Sequence, residues 1–154
     1  MSGSINLYEN AVAVHCLCEA DLKVANGQSQ QGRQGDKTTR VQIKANKFQG
    51  PGVLKAYAHW CGHCKDKVAC ISEMAEAFHN SNMNVHVYAL ESSILNPAVS
   101  EALGLDSFPT FYQCDENGRL TKMEERTVPS VLTALCTECK NRTEFSSYMG
   151  KCGR

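Results

Sequence analysis

Two cysteines three positions apart, Cys61 and Cys64, stand in the run Trp60-Cys61-Gly62-His63-Cys64-Lys65. A thiolate attacks a disulfide, and a second thiol close by can then displace the mixed disulfide that forms. A spacing of three puts both sulfurs on one face of a helix, within bonding reach of one another. The run follows Val53-Leu54-Lys55-Ala56-Tyr57-Ala58, which reads as a strand, and precedes a segment of helical periodicity. At such a junction the unpaired N–H groups of the first turn and the positive end of the dipole favour an anion. Cys61, leading the helix, is the expected nucleophile, and Cys64, one turn further in, the resolving thiol. His63, between them, favours thiolate over disulfide and so makes the pair more oxidising. Trp60 and Gly62 complete the immediate surroundings. A bare C-x-x-C is equally half of a zinc site, and the strand-to-helix context with flanking Trp60 and Lys65 is what favours redox chemistry. Thiol–disulfide exchange needs no metal and no organic cofactor, and none is expected.

The elements that position this pair follow in order. After the strand Val53–Ala58, a helix is expected over about Gly62–His79, with Val68, Ile71, Ala75 and Phe78 on one apolar stripe. Asn84–Leu90 reads as the next strand. Asn96 as N-cap, with Pro97 in the first turn, opens a short helix that Gly104 closes. Phe108–Cys114 is a third strand, and Asn117-Gly118 a hairpin signal into a fourth, Arg119–Glu125. Thr127 then caps a last helix with Val128, Val131, Leu132, Leu135 and Cys136 on one face. The order β-α-β-α-β-β-α implies an α/β sandwich, a mixed sheet with helices on both faces. Upstream, Asn26–Thr39 holds three Gly, four Gln and no large apolar residue, and reads as a flexible linker. The chain accordingly divides into an N-terminal extension and linker (1–39), a main domain (40–140) and a tail (141–154). Val41–Ala45 is strand-like but lies too near Val53 to be joined to it as a parallel neighbour, which takes a crossover of about a dozen residues.

The whole chain has 154 residues, with 16 Lys+Arg against 16 Asp+Glu, so nothing marks a nucleic-acid or anionic-membrane partner. No apolar run approaches the roughly 20 residues of a bilayer span. Residues 1–10 carry no basic residue, and the apolar run after them is broken by His15, unlike a secretory leader, which makes the cytoplasm the expected compartment. Nine cysteines are many for that compartment, and an odd number cannot all pair internally. Cys16-Leu17-Cys18 and Cys136-Thr137-Glu138-Cys139 invite three readings: small buried hydrophobes, extra disulfides or an electron-relay pair, or a four-sulfur zinc module. Cys70 and Cys114 are expected in the core, and Cys152 as a free thiol on the tail.

With these residues in place, Val53 to about Leu135 resembles the thioredoxin fold, and WCGHCK resembles the active-site motif of the protein disulfide isomerase branch. Phe108-Pro109-Thr110, with its proline 45 positions after Cys64, is similar to the family's cis-proline loop. The resemblance implies that Phe108 and Pro109 offer backbone groups to a substrate peptide. It also implies protein thiols and disulfides as substrates, with a reductase or thiol oxidase as partner. Thioredoxin and protein disulfide isomerase differ by roughly 90 mV, about 4 kcal/mol for two electrons, so direction of flow is not implied. Three departures stand out. Lys55 occupies the position of the family's buried acid, and either points toward Cys64, favouring thiolate, or faces outward. The family's lysine on the next strand falls at Ala89. The Tyr-x-Gly-x-Arg near the last strand is reduced to Arg126, with Glu124 in place of the glycine, so Lys55 or Arg126 is expected to pair with Glu124 or Glu125. The family's proline before Trp60 is replaced by His59, expected as a solvated surface residue. The missing acid and the altered groove leave a rival function, a binding or structural protein that kept fold and dithiol but turns over little, and the cysteine pairs leave a second, a zinc-binding module.

Overall fold

A computed structural model describes residues 8, 11, 13–25, 38–66, 68–80 and 83–124. The elements run β1 (Val14–Leu17), a 3₁₀ turn (Glu19–Asp21), β2 (Leu22–Val24), β3 (Thr38–Ile43), β4 (Gly52–Tyr57), α1 (Gly62–Asp66) and α2 (Val68–Asn80). They continue β5 (His86–Glu91), α3 (Pro97–Leu103), β6 (Thr110–Cys114) and β7 (Arg119–Lys122). All seven strands form one sheet in the order β1-β5-β4-β6-β7-β3-β2. β4 is an interior strand, third in this order, parallel to β5 and antiparallel to β6, and all six of its residues are buried. A strand covered on both faces reads as a continuous apolar run, which is how Val53–Tyr57 reads apart from Lys55.

Each face of the sheet carries a helix. α2 buries Ile71, Met74, Ala75 and Phe78 against Tyr8, Val14, Val53, Tyr57, Val87 and Phe111. α3 closes the opposite face, where Leu103 packs with Leu17, Leu54, Tyr88, Leu90, Tyr112 and Leu120. Asn96 caps α3 by accepting the N–H of Ala98 at 2.8 Å, and Gly104 ends it at φ +67°, a conformation glycine adopts without a Cβ penalty. The Tyr112 hydroxyl donates to the Leu103 carbonyl at 2.7 Å, tying the end of α3 to β6.

Val41–Ala45 overlaps β3, which runs antiparallel to β7, so no crossover to β4 is needed. Thr38 and Thr39, read as linker, belong to that strand. β1 and β2, from the stretch read as an extension, are strands of the same sheet and not an appendage to it. Four residues, 18–21, join β1 to β2, although these strands stand at opposite ends of the order. Five Cα steps reach at most about 18 Å, whereas six flat interstrand spacings amount to about 29 Å. The sheet must therefore curl around the α3 side, where Leu17, Leu22, Val41 and Ile43 share one cluster with Leu103.

Candidate active site

The parallel strands bring their C-terminal ends to one edge of the sheet, and there β4 passes through Ala58, His59 and Trp60 into α1. Cys61 immediately precedes α1 and is 8% exposed, while Cys64 lies within it and is fully buried. The Cys64 N–H donates to Cys61 Sγ at 3.2 Å, giving the outer sulfur an electrostatic partner suited to a thiolate. Cys61 Sγ–H reaches the Phe108 carbonyl at 3.8 Å. The Phe108–Pro109 peptide is cis, and Trp60 packs edge-on against Phe108 with ring centroids 5.7 Å apart. A groove of about 650 Å³ opens beside them, lined by Trp60, Cys61, Ser93, Leu95 and Phe108 among others. Trp60, 61% exposed, forms one wall. A Cβ added at Gly62 would meet nothing within 4 Å, so the motif's outer side is open.

Lys55 points inward. It is 1% exposed, and its Nζ donates to the Cys64 carbonyl at 2.9 Å and to the Tyr8 hydroxyl at 2.5 Å. The same ammonium lies 5.0 Å from the centre of the Tyr8 ring. Ala89, where the family's second lysine would fall, pairs directly across from Lys55 on β5 and leaves the room to it. Burial and the hydrogen bond to Cys61 push the Cys64 thiol up to about 12, and the Lys55 charge works against that rise. Removing this charge therefore moves Cys64 further up. Lys55→Met is expected to slow the resolving step several-fold at neutral pH and shift its pH profile to higher pH. Release of a preformed mixed disulfide, followed from about pH 6 to pH 10, reads this, and an unshifted profile would leave Lys55 a purely structural role.

His59 is not a free surface side chain. Its backbone N–H and its Nδ1 both meet Glu91 Oε2 at 2.8 Å. Proline at this position has no N–H, so its replacement supplies the donor that Glu91 accepts. Burial raises the Glu91 pKa, but hydrogen bonds from the Ser93 hydroxyl and from His59 outweigh it and hold the carboxyl below its ordinary value. The end of β5 is thereby tied to the loop that carries Trp60 and Cys61.

Neither Tyr8 nor Glu91 stands out in the sequence. Glu91 could have been sought once His59 was seen to free a backbone donor. Tyr8 carries no local signal. Of the remaining candidates, the His63 side chain and Arg126 lie outside the described residues, as does Glu125, while Glu124 is exposed. Cys114 is buried as expected, its thiol pushed up to about 12 by burial and by Asp115. Cys70, expected in the core, packs half-buried against it and is also disulfide-bonded. Because Cys16, Cys18, Cys61, Cys64 and Cys114 form no disulfide, its partner lies outside the described residues, as do Cys136, Cys139 and Cys152. Among the described residues no group of three or more His, Cys, Asp or Glu could hold a metal ion, and no helix is long and apolar enough to cross a membrane.

The sequence profile of the Thioredoxin family matches residues 35–138. The chain belongs to the thioredoxin family. A protein disulfide-isomerase of Medicago sativa is 28% identical over 72 residues, 47% of this chain and 14% of that protein. A probable protein disulfide-isomerase A4 of Caenorhabditis elegans is 35% identical over 60 residues, 39% of this chain and 9% of that protein. The chain thus spans only a small part of these relatives. Among solved structures, thioredoxin f from spinach chloroplast (long form) is 26% identical, with a TM-score of 0.47 over 55% of this chain and 67% of that one. Thioredoxin-family membership agrees with the mixed sheet, the helices on both faces and the resemblance to the protein disulfide isomerase branch.

Proposed function

We propose that this thioredoxin-family chain is a thiol–disulfide oxidoreductase acting on protein disulfides, with Cys61 as nucleophile and Cys64 as resolving thiol. The observation that carries the reading is the 3.2 Å bond from the Cys64 N–H to Cys61 Sγ at the mouth of an open groove. A polypeptide disulfide docks between Trp60 and the Phe108–Pro109 turn. The Cys61 thiolate attacks one of its sulfurs, and the departing thiolate takes a proton. Cys64, deprotonated, then attacks Cys61 Sγ and expels the second substrate thiolate. Two electrons pass to the substrate, which leaves with two thiols, and the protein holds a Cys61–Cys64 disulfide. The same steps reversed oxidise a substrate dithiol. A reductase, or in the oxidising direction a thiol oxidase, must reset the pair after each turnover.

The test is catalysed reduction of an insulin-type disulfide by the intact chain against Cys61→Ser. Wild-type turnover is expected to exceed that of the variant by at least about a hundredfold, near 3 kcal/mol of transition-state stabilisation. Equal rates overturn the reading and leave a protein that binds through the same groove without turning over.

A further inference from the structure

Where β5 begins, at the end of the sheet opposite Cys61, two imidazoles meet. His15 Nε2 on β1 lies 3.2 Å from His86 Nδ1 on β5, with the ring centroids 5.4 Å apart. The other His86 nitrogen, Nε2, stands 3.3 Å from Asn84 Oδ1, an oxygen that can only accept. In the neutral ring Nε2 therefore carries the proton, and Nδ1 accepts from His15 Nε2–H. One added proton can be shared between the facing nitrogens. A second leaves two donors opposed at 3.2 Å and ends the bond. Among the described residues, the groups facing the pair are Tyr88, its ring 5.1 Å from His15, then Asn84, the backbone at Gly50, and His79 at the end of α2. His79 and His86 line one cavity of about 340 Å³. None of these groups is a carboxylate, and the one that can gain charge is a third imidazole. Burial, then the charges of His86 and His79, hold His15 below the ordinary histidine value, and burial and His79 do the same to His86. The unfolded chain escapes both effects, so it binds more protons than the folded one as pH falls below about 6.5, and stability falls with it.

β1 is the element that yields. It is a terminal strand of four residues paired with β5, whereas β5 is also held by β4. Val14 N–H donates to the Ala11 carbonyl at 3.1 Å, and Ala11 N–H to the Tyr8 carbonyl at 3.0 Å, so the start of β1 leads directly to Tyr8. The Tyr8 hydroxyl accepts from Lys55 Nζ, beneath Cys64.

We propose that His15 and His86 form an acid-sensitive latch, in which protonation of both rings releases β1 from β5 and withdraws Tyr8 from Lys55. At neutral pH the latch is closed, and the tyrosine steadies the ammonium under the resolving thiol. In acid the two imidazolium charges, with His79 close by, drive the terminal strand off the sheet, and Lys55 loses the Tyr8 hydroxyl. The release of β1 stands on the histidine geometry alone. Its bearing on disulfide exchange rests on the roles proposed for Cys61 and Cys64.

Amide hydrogen exchange of the full chain tests this, read peptide by peptide by mass spectrometry at about pH 7.5 and about pH 5 and corrected for the intrinsic pH dependence of exchange. The peptide covering β1 is expected to lose at least about tenfold in protection at the lower pH, while the peptide covering β6 and β7 loses less than about twofold. His15→Gln keeps a side chain that can donate to His86 Nδ1 but takes up no proton, and its acid-driven loss at β1 should stay below about threefold. His86→Gln removes the partner's charge in the same way and serves in its place should His15→Gln not fold. A wild-type β1 that loosens no more than β6 and β7 overturns the proposal, as does an acid-driven loss in the glutamine variant equal to that of the wild type. Activity through Cys61 enters none of these readings, so failure of the latch and failure of the proposed oxidoreductase are told apart.

Discussion

A Cys64→Ser chain is expected to stop after a single chemical event, covalently tied to its substrate. Cys61 is the sulfur that meets the groove, so attack on an incoming disulfide remains possible without Cys64. What disappears is the internal thiol that releases the product, because a serine hydroxyl cannot displace a sulfur. Release then depends on thiols from solution, which lack the positional advantage of a group one helical turn away. Turnover is expected to fall on the order of a thousandfold, about 4 kcal/mol in barrier. Non-reducing electrophoresis and intact mass should show a one-to-one adduct through Cys61. The companion Cys61→Ser chain should give none, since Cys64 has no exposure to solvent. Repeated turnover by Cys64→Ser without an adduct would remove Cys64 from its resolving role.

Gly52→Ala is expected to have the largest effect on stability. Gly52 begins β4 and pairs with His86 on one side and Cys114 on the other. A Cβ there would lie 1.8 Å from the His86 carbonyl oxygen and 2.6 Å from the His86 nitrogen. These are backbone atoms of a paired strand, so relief requires β4 and β5 to separate where they begin their parallel ladder. The loss should exceed about 4 kcal/mol, the range of severe single substitutions, and lower the melting temperature by roughly 8–16 °C. Circular dichroism on heating and denaturant titration measure it. A change within about 1 kcal/mol would mean that this end of the sheet yields more readily than its packing implies.

Residues 53–122 were largely legible because their signals are local. The stripe on α2, the Asn96 cap with Pro97, and Asn117-Gly118 each act within a few residues, and strand limits differ from expectation mainly at their ends. β1 is a different case. It has four residues, two of them at least partly exposed, and its partner Val87 is 73 positions from Val14 (87 − 14). No local pattern encodes a pairing over that distance, so the segment reads as an appendage.

The site divides along the same line. Cys61, Cys64, Trp60 and the Phe108–Pro109 turn were visible because spacing and junction chemistry suffice to mark them. That Lys55 turns inward was not decidable from its own residue type, since lysine is rarely buried without partners. Its partners are the Cys64 carbonyl and Tyr8, and Tyr8 is 47 residues away. The exchange of proline for histidine at position 59 is visible in the sequence, but its meaning rests on Glu91, brought near only when β5 aligns with β4.

The long-range pairing of β1 also bears on how the chain assembles. Closing a 73-residue loop to join Val14 with Val87 carries a length-dependent entropic cost of about 4 kcal/mol, before the contacts that reward it have formed. Helices and hairpins form in microseconds, whereas topologies rich in such distant pairings reach the native state in milliseconds to seconds. The WCGHCK turn is thus built from near neighbours, while Tyr8, which holds the Lys55 ammonium beneath it, lies upstream of the strand that depends on this distant pairing.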